Sequence, residues 1–210
     1  MIAISSAFKN AMIAIDIDGK TKFCQLDSNA KHAESLLPAI DKMLDEMGCK
    51  IGENNSYCVV TGPGSFTGLR IGIALIKGLV QGQQGEKKIY PITSFDLMAY
   101  SYIKNNIIND NFTCVINALS GLYFVCSYDK SGNKIGQEQM IEKEELDKLQ
   151  GIKVGLKEEN ITNIQIEVTP NELLELALLK EKQGEFCSYK ELCPLYIRKS
   201  QAEAALDNKK

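Results

Sequence analysis

The sequence predicts an α/β protein of two pseudo-repeated lobes, each a mixed sheet with flanking helices. Three observations carry this. Short apolar runs joined by turn residues open the chain and recur from Phe112 onward, so a strand meander is written twice. Between and after the meanders, strand-like runs alternate with segments of helical period. A polar stretch, Asn105–Asn109, separates the two halves, dividing the chain into lobes 1–105 and 106–210. The last segment is expected to pack back on the first lobe.

In order, Met1–Ser5 reads as a strand. Ala11–Asp18 alternates apolar and polar residues, Asp18-Gly19 supplies a hairpin turn, and Thr21–Leu26 returns as a third strand. Lys31–Met47 is an amphipathic helix with Leu36, Leu37, Ile40, Met43, Leu44 and Met47 at helical spacing. Ser28 or Asn29 serves as its cap, Pro38 is expected to kink it, and Gly48 to end it.

The densest signal is Ser56–Gly82. Tyr57–Val60 is a buried strand, and Gly62-Pro63-Gly64-Ser65 reverses the chain. A helix then runs from Phe66 or Thr67 to Gln81, with Leu69, Ile73, Ile76 and Val80 on one side and Ile71, Leu75 and Leu79 beside them. Ser65 or Thr67 caps its start and Gly82 ends it. Gly64, Gly68 and Gly72 stand four apart, and Ala74 and Gly78 make a second small pair. A glycine inside a helix costs about 1 kcal/mol relative to alanine. Close approach of another backbone, or of a ligand, would offset that cost. A helix apolar on several sides also calls for a second covering surface, which a partner protein would supply.

The glycine turn has two readings. It is either a phosphate cradle at a helix N-terminus, with Gly62, Gly64, Ser65 and Thr67 as anion or nucleotide contacts, or a tight turn with close packing. The spacing Gly62-x-Gly64-x-x-x-Gly68 fits neither the dinucleotide fingerprint nor a P-loop.

Beyond it, Ile89–Ile92 is a strand, and Ser94 caps a helix to about Lys104. Cys114–Ala118, Tyr123–Tyr128 and Lys134–Gln139 form the second meander, with a turn at Asp129–Gly132. Met140–Gln150 reads as a solvated helix with i,i+4 charge pairs. Gly151–Leu156 and Asn163–Val168 are strands, and Pro170 opens a helix to about Gln183. Leu192–Arg198 docks the terminus, with Arg198 as a cross-lobe or partner contact, and Gln201–Lys210 forms a short helix.

Composition narrows the chemistry. The 210 residues are 44% hydrophobic and 24% charged, with a net charge of −3, which argues against a stand-alone nucleic-acid binder. Seven cysteines form no CxxC pair and read as reduced thiols of a cytoplasmic protein. No apolar run is long enough to span a membrane. With His32 the single histidine, a His-rich metal site is impossible.

Three antiparallel strands followed by helix, strand and helix resemble half of the actin-like ATPase, ribonuclease H-like fold. Gly62-Pro63-Gly64-Ser65-Phe66-Thr67-Gly68-Leu69-Arg70-Ile71-Gly72, with Ala74 and Lys77-Gly78, resembles the signature of the TsaB family, which has that fold. His32, Leu36-Leu37-Pro38 and the Pro194-x-Tyr196-x-Arg198 segment match further family patterns. The resemblance implies a non-catalytic dimerisation subunit in threonylcarbamoyladenosine modification of tRNA next to the anticodon. It implies a TsaD-type catalytic partner, a TsaE-type ATPase, a homodimer when alone, and tRNA contact only through the complex. No cofactor belongs to the chain itself; ATP and a metal belong to the partners. The partner interface it implies comprises His32, Leu36, Leu37, Ile40, Met43 and Leu44 on one helix. On the other it comprises Phe66, Gly68, Leu69, Arg70, Gly72, Ile73 and Ile76.

Departures from the patterns count against catalysis, and no catalytic or metal-binding residue is assigned. Actin-like ATPases expect an acidic residue at the end of the first strand, where this chain has Ser5-Ser6-Ala7. The catalytic relative holds a metal with a His-xxx-His pair, but four residues after His32 stands Leu36. Asn117-Ala118-Leu119 replaces the family's Asp-Ala-Arg, and Gly121-Leu122-Tyr123 its Glu-Val-Tyr. The alternative reading is a nucleotide-dependent enzyme, an ATPase or kinase of the actin-like fold. A metallopeptidase finds little support in one histidine.

Overall fold

The computed structural model describes residues 1–27 and 32–197. The expected Ser28 or Asn29 cap, Lys31, Arg198 and the helix at Gln201–Lys210 lie outside the described residues.

The first half runs β1 (Ile2–Ser5), β2 (Ala11–Ile17), β3 (Lys20–Leu26), α1 (His32–Met47), β4 (Ser56–Val60), α2 (Phe66–Gln81), β5 (Lys88–Ile92) and α3 (Ser94–Asn105). The second runs β6 (Phe112–Asn117), β7 (Leu122–Tyr128), β8 (Lys134–Glu142), α4 (Lys143–Lys148), β9 (Ile152–Leu156), β10 (Ile164–Ile166) and α5 (Pro170–Gln183). One sheet has the order β3-β2-β1-β4-β5, and the other the matching order β8-β7-β6-β9-β10. In each, a three-strand antiparallel meander is extended by two parallel strands. The pseudo-repeat is therefore present strand for strand.

Local chemistry explains most boundaries. Asp18 and Gly19, with φ of 51° and 77°, form the two-residue hairpin turn between paired Ile17 and Lys20. Gly48, at φ 68°, ends α1. Pro38 does not interrupt α1, which is continuous across it, held by Leu36, Ile40, Met43 and Leu44 packed on the sheet. Thr93, not Ser94, caps α3, its Oγ1 accepting from Asp96 N at 3.0 Å while Ser94 is buried one residue on. The helix expected over Met140–Gln150 is reduced to Lys143–Lys148. Met140, Ile141 and Glu142 pair with Phe124, Tyr123 and Leu122, so strand pairing overrides the helical charge pattern there.

The two sheets share one core. α3 follows the first sheet in sequence but packs on β6 and β10, while α5 packs on β1, β2, β3 and β5. Ala3, Phe95, Met98, Cys114, Val154, Leu173 and Ala177 belong to the same buried cluster. The outer face of the first sheet is covered by α1 and α2 over Ile2, Ile4, Ile13, Ile15, Ile40 and Ile76. Among the described residues the one helix on the outer face of the second is the six-residue α4, whose Leu146 packs over Val115 and Val125. Beyond α5 the chain crosses the first sheet. Cys187 N donates to Ile89 O at 2.8 Å, and Leu195 N donates to Thr61 O at 2.8 Å.

The glycine ridge of α2 meets its own chain. A Cβ on Gly64 would lie 2.4 Å from Ala7 O, on Gly68 1.9 Å from Ser6 O, and on Gly72 2.4 Å from Ser6 Oγ. Ser6 Oγ donates to Gly68 O at 2.7 Å. The expectation that Gly68 and Gly72 face a partner is thereby corrected: the turn between β1 and β2 lies against them. Gly78 is different, since a Cβ there would meet nothing within 4 Å. Gly68→Ala should cost about 3 kcal/mol or more, or abolish folding, through a backbone clash. Gly78→Ala should stabilise the isolated chain by about 0.5–1 kcal/mol. Urea denaturation of both variants checks the opposite signs.

Candidate functional site

Two surfaces stand out, the outward side of α1 and α2 and the cleft between the lobes. On α1 and α2 the structure divides the sequence-expected interface in two. Leu36, Ile40, Met43, Leu44, Leu69, Ile73 and Ile76 are each no more than 5% exposed in the chain's own core, so they lie beneath that surface and form no part of it. Their spacing signalled a packed stripe, and the core needed all of it. Leu37 is 41% and Phe66 36% exposed, and Arg70 is exposed too. The sequence reading did not place Ala74 and Gly78 on this surface, where both are exposed, flanked by half-buried Ile71, Leu75 and Leu79. The signal was available as the second small pair.

Phe66 and Arg70 are fixed by the end of the described chain. The Phe66 and Tyr196 rings stack at 4.9 Å. The Arg70 guanidinium lies 4.0 Å over Phe66, and its Nε donates to Tyr196 OH at 2.9 Å. Tyr196 was not among the expected interface residues; it joins them through this cluster.

The cleft, about 990 Å³ in volume, lies between the β1–β2 turn, the start of α2 and the β6–β7 turn. Of the candidate anion contacts Gly64, Ser65 and Thr67 stand on its wall and Gly62 does not, and several of their groups are already bonded. Ser65 N donates to Ala7 O at 2.8 Å, Gly68 N donates to Ser65 Oγ at 3.1 Å, and Gly62 O accepts from Ser94 N at 2.7 Å. Thr67 is exposed on the first turn of α2. Opposite, Asn117 N donates to Glu159 Oε2 at 2.9 Å. Burial pushes the Glu159 carboxyl up to about 7, against that hydrogen bond and with help from Glu158. Leu119 and Ser120, at φ 65° and 56°, hold the β6–β7 turn in the left-handed region. His32 lines the same cleft with its Nε2 buried and unpartnered, while Leu36 is turned into the core. Among the described residues no group of three or more His, Cys, Asp or Glu gathers as a metal site. Glu159 was missed from the sequence because its burial depends on the β9–β10 loop folding under Asn117.

Comparisons with known proteins agree with this architecture. The model of the family described as TsaD, tRNA N6-adenosine threonylcarbamoyltransferase, matches residues 27–174. The tRNA threonylcarbamoyladenosine biosynthesis protein TsaB of Haemophilus influenzae is 24% identical over 222 residues, covering 94% of this chain and 93% of the relative. TsaB of Escherichia coli is 27% identical over 135 residues, covering 64% of this chain and 57% of the relative. Among solved structures, YeaZ from Pseudomonas aeruginosa has a TM-score of 0.76 at 19% identity, covering 93% of this chain and 98% of that one. A Pseudomonas aeruginosa structure described as similar to peptidase YeaZ has a TM-score of 0.75 at 20% identity, covering 94% and 98%. At such identities the structural likeness speaks for the fold.

Glu159 yields a pH dependence. Folded, it keeps its proton to about pH 7; unfolded, it releases it near 4.5. Between those values the folded state binds more protons, so stability should fall as pH rises from about 4.5 to 7 and level off above. Glu159→Gln should remove this slope and be more stable than wild type at pH 8, by about 2 kcal/mol. Denaturation at pH 5 and pH 8 checks it.

Proposed function

The chain belongs to the family of TsaD, tRNA N6-adenosine threonylcarbamoyltransferase, among its TsaB-type members, and from that premise we propose that it serves tRNA threonylcarbamoyladenosine biosynthesis as a non-catalytic subunit. It binds a TsaD-type catalytic partner through the outward side of α1 and α2. A TsaE-type ATPase joins the pair, ATP and metal belong to those partners, and tRNA is met through the complex. Alone, the chain pairs with a second copy by the same side. It works in the cytoplasm, and no helix among the described residues is long and apolar enough to cross a membrane.

The observation that carries this reading is Gly78. It sits mid-helix with open space around it, so nothing inside the chain compensates the roughly 1 kcal/mol that glycine costs there. Beside it are exposed Ala74, the Phe66–Arg70 cluster and Leu37 of α1. A helix from a second protein can approach such a ridge closely, because no side chain stands between the backbones. The alternative, a nucleotide-dependent enzyme, is favoured by the cleft and by Glu159, but Ser5 and Asn117 stand where it would need carboxylates.

The test is size-exclusion chromatography with light scattering, using the full chain alone and mixed with the TsaD-type protein of the same organism. Leu69, 2% exposed, is unsuitable as an interface probe because a charge there would unfold the core. Ala74→Glu is suitable. It should leave the stability of the isolated chain within about 0.5 kcal/mol and weaken the heterodimer by at least about tenfold. A complex unaffected by Ala74→Glu would remove this surface from the interface. No complex at all, with ATP turnover by the chain alone, would favour the enzyme.

A further inference from the structure

The actin-like fold implies a nucleotide and a metal at the turn after the first strand, and the residues here do not fit them. We infer that the inter-lobe cleft of this chain is closed to nucleoside triphosphates, because the β1–β2 turn lies against the glycine ridge and the strand ends that face the cleft carry no carboxylate for a cation.

A helix N-terminus attracts anions through amide hydrogens that the helix leaves unpaired. At α2, Ser65 N–H is taken by Ala7 O at 2.8 Å and Gly68 N–H by Ser65 Oγ at 3.1 Å, which leaves the Phe66 and Thr67 amides of the first turn as the remaining donors. The Ser6 and Ala7 carbonyl oxygens, each carrying partial negative charge, point at the glycine ridge. Ser6 O stands 1.9 Å from where a single added carbon on Gly68 would sit. An anion approaching this ridge meets two carbonyl oxygens, with no room between turn and helix. Phe8, 8% exposed, anchors the turn in the shared core.

A triphosphate also needs a divalent cation, and the cation needs oxygen anions. Ser5 is fully buried at the end of β1 and offers a neutral hydroxyl. Asn117 ends β6 with an amide, whose Oδ1 accepts from Leu119 N at 2.8 Å. Of the two carboxyls on the wall Glu158 is exposed, and Glu159 is half-buried, held by Asn117 N–H, and stays largely protonated below pH 7. Of the cations on the wall, Arg70 is committed to Phe66 and Tyr196, and Lys9 stands exposed on the β1–β2 turn. Any nucleotide dependence of an assembly containing this chain must then be met outside this cleft. The inference concerns the isolated chain and stands or falls independently of the partner reading.

The experiment follows backbone amide shifts of the full chain during titration with ATP and Mg²⁺, and separately with inorganic phosphate. Residues 64–67 and 117–120 should show no saturable shift up to about 5 mM of either probe, placing any Kd above the millimolar range. In the free chain the Ser65 amide should exchange at least about 100-fold more slowly than in an unfolded chain, because Ala7 O holds it. Saturable shifts confined to other surfaces support the inference, since they place the nucleotide elsewhere. A saturable shift at residues 64–67 or 117–120 would overturn it. So would a Ser65 amide exchanging at the unfolded rate, because the turn would then lift off the helix and open the cradle.

Discussion

The contact between the β1–β2 turn and the glycine ridge of α2 sets the position of everything around it. Three glycines remove every side chain between the helix and Ser6-Ala7, so two stretches of backbone meet at hydrogen-bonding distance. That distance fixes the rotation of α2 about its axis. With Gly64, Gly68 and Gly72 turned inward, Phe66, Arg70, Ala74 and Gly78 are turned outward by helical geometry. Ala7, Gly64 and Ser65 of this contact also line the cleft, so surface and cleft take their character from one packing event. Most of the long glycine motif is thus a packing device on its inner side, and only its later members look to solvent.

The lobes are joined more intimately than two repeats set side by side would be. Each places a helix against the other's sheet or against the neighbouring helix, and polar contacts stitch the exchange. Tyr128 OH donates to Asp96 Oδ1 at 2.9 Å, while Asp96 also closes the N-terminus of α3. Burial, with Asp96 alongside, pushes the Tyr128 phenol far up, so the proton stays in that hydrogen bond. Asn105 Nδ2 donates to Glu172 Oε1 at 2.7 Å, and Tyr100 OH to Glu175 Oε2 at 3.0 Å. Lys104 pairs with the same Glu175. Opening the cleft by moving one lobe would break these contacts and expose part of a common core.

Periodicity revealed the strands, most helices and the repeat, because these depend on neighbours in sequence. Asp18-Gly19, Gly48 and Pro170 did their local work where the sequence put them. Periodicity also identified an apolar stripe on α1 and α2, but it does not say how wide a stripe the sheet consumes. Leu36 and Ile73 went to the core and Ala74 to the surface, a distinction made by tertiary packing. Met140–Glu142 misled for a related reason: its charges suit a helix, but β7 offered a free edge. The Glu159–Asn117 contact joins residues 42 apart, and no local pattern announces it. The spacing of the glycine turn already favoured packing over a phosphate cradle, but only the fold shows that Ser6 and Ala7 are what packs there.

The covering of the two sheets is unequal. Among the described residues the first carries two long helices on its outer side and the second only α4, with a loop where the counterpart of α2 would be. A protein with an equivalent adhesive side on each repeat could link head to tail without limit, as subunits of a filament do. Loss of the helix pair from one repeat leaves a single such side. Under the proposed assembly, association through one side would close at two subunits. The duplicated fold draws its core from both halves, while among the described residues only the first half presents a pair of long helices on its outer side.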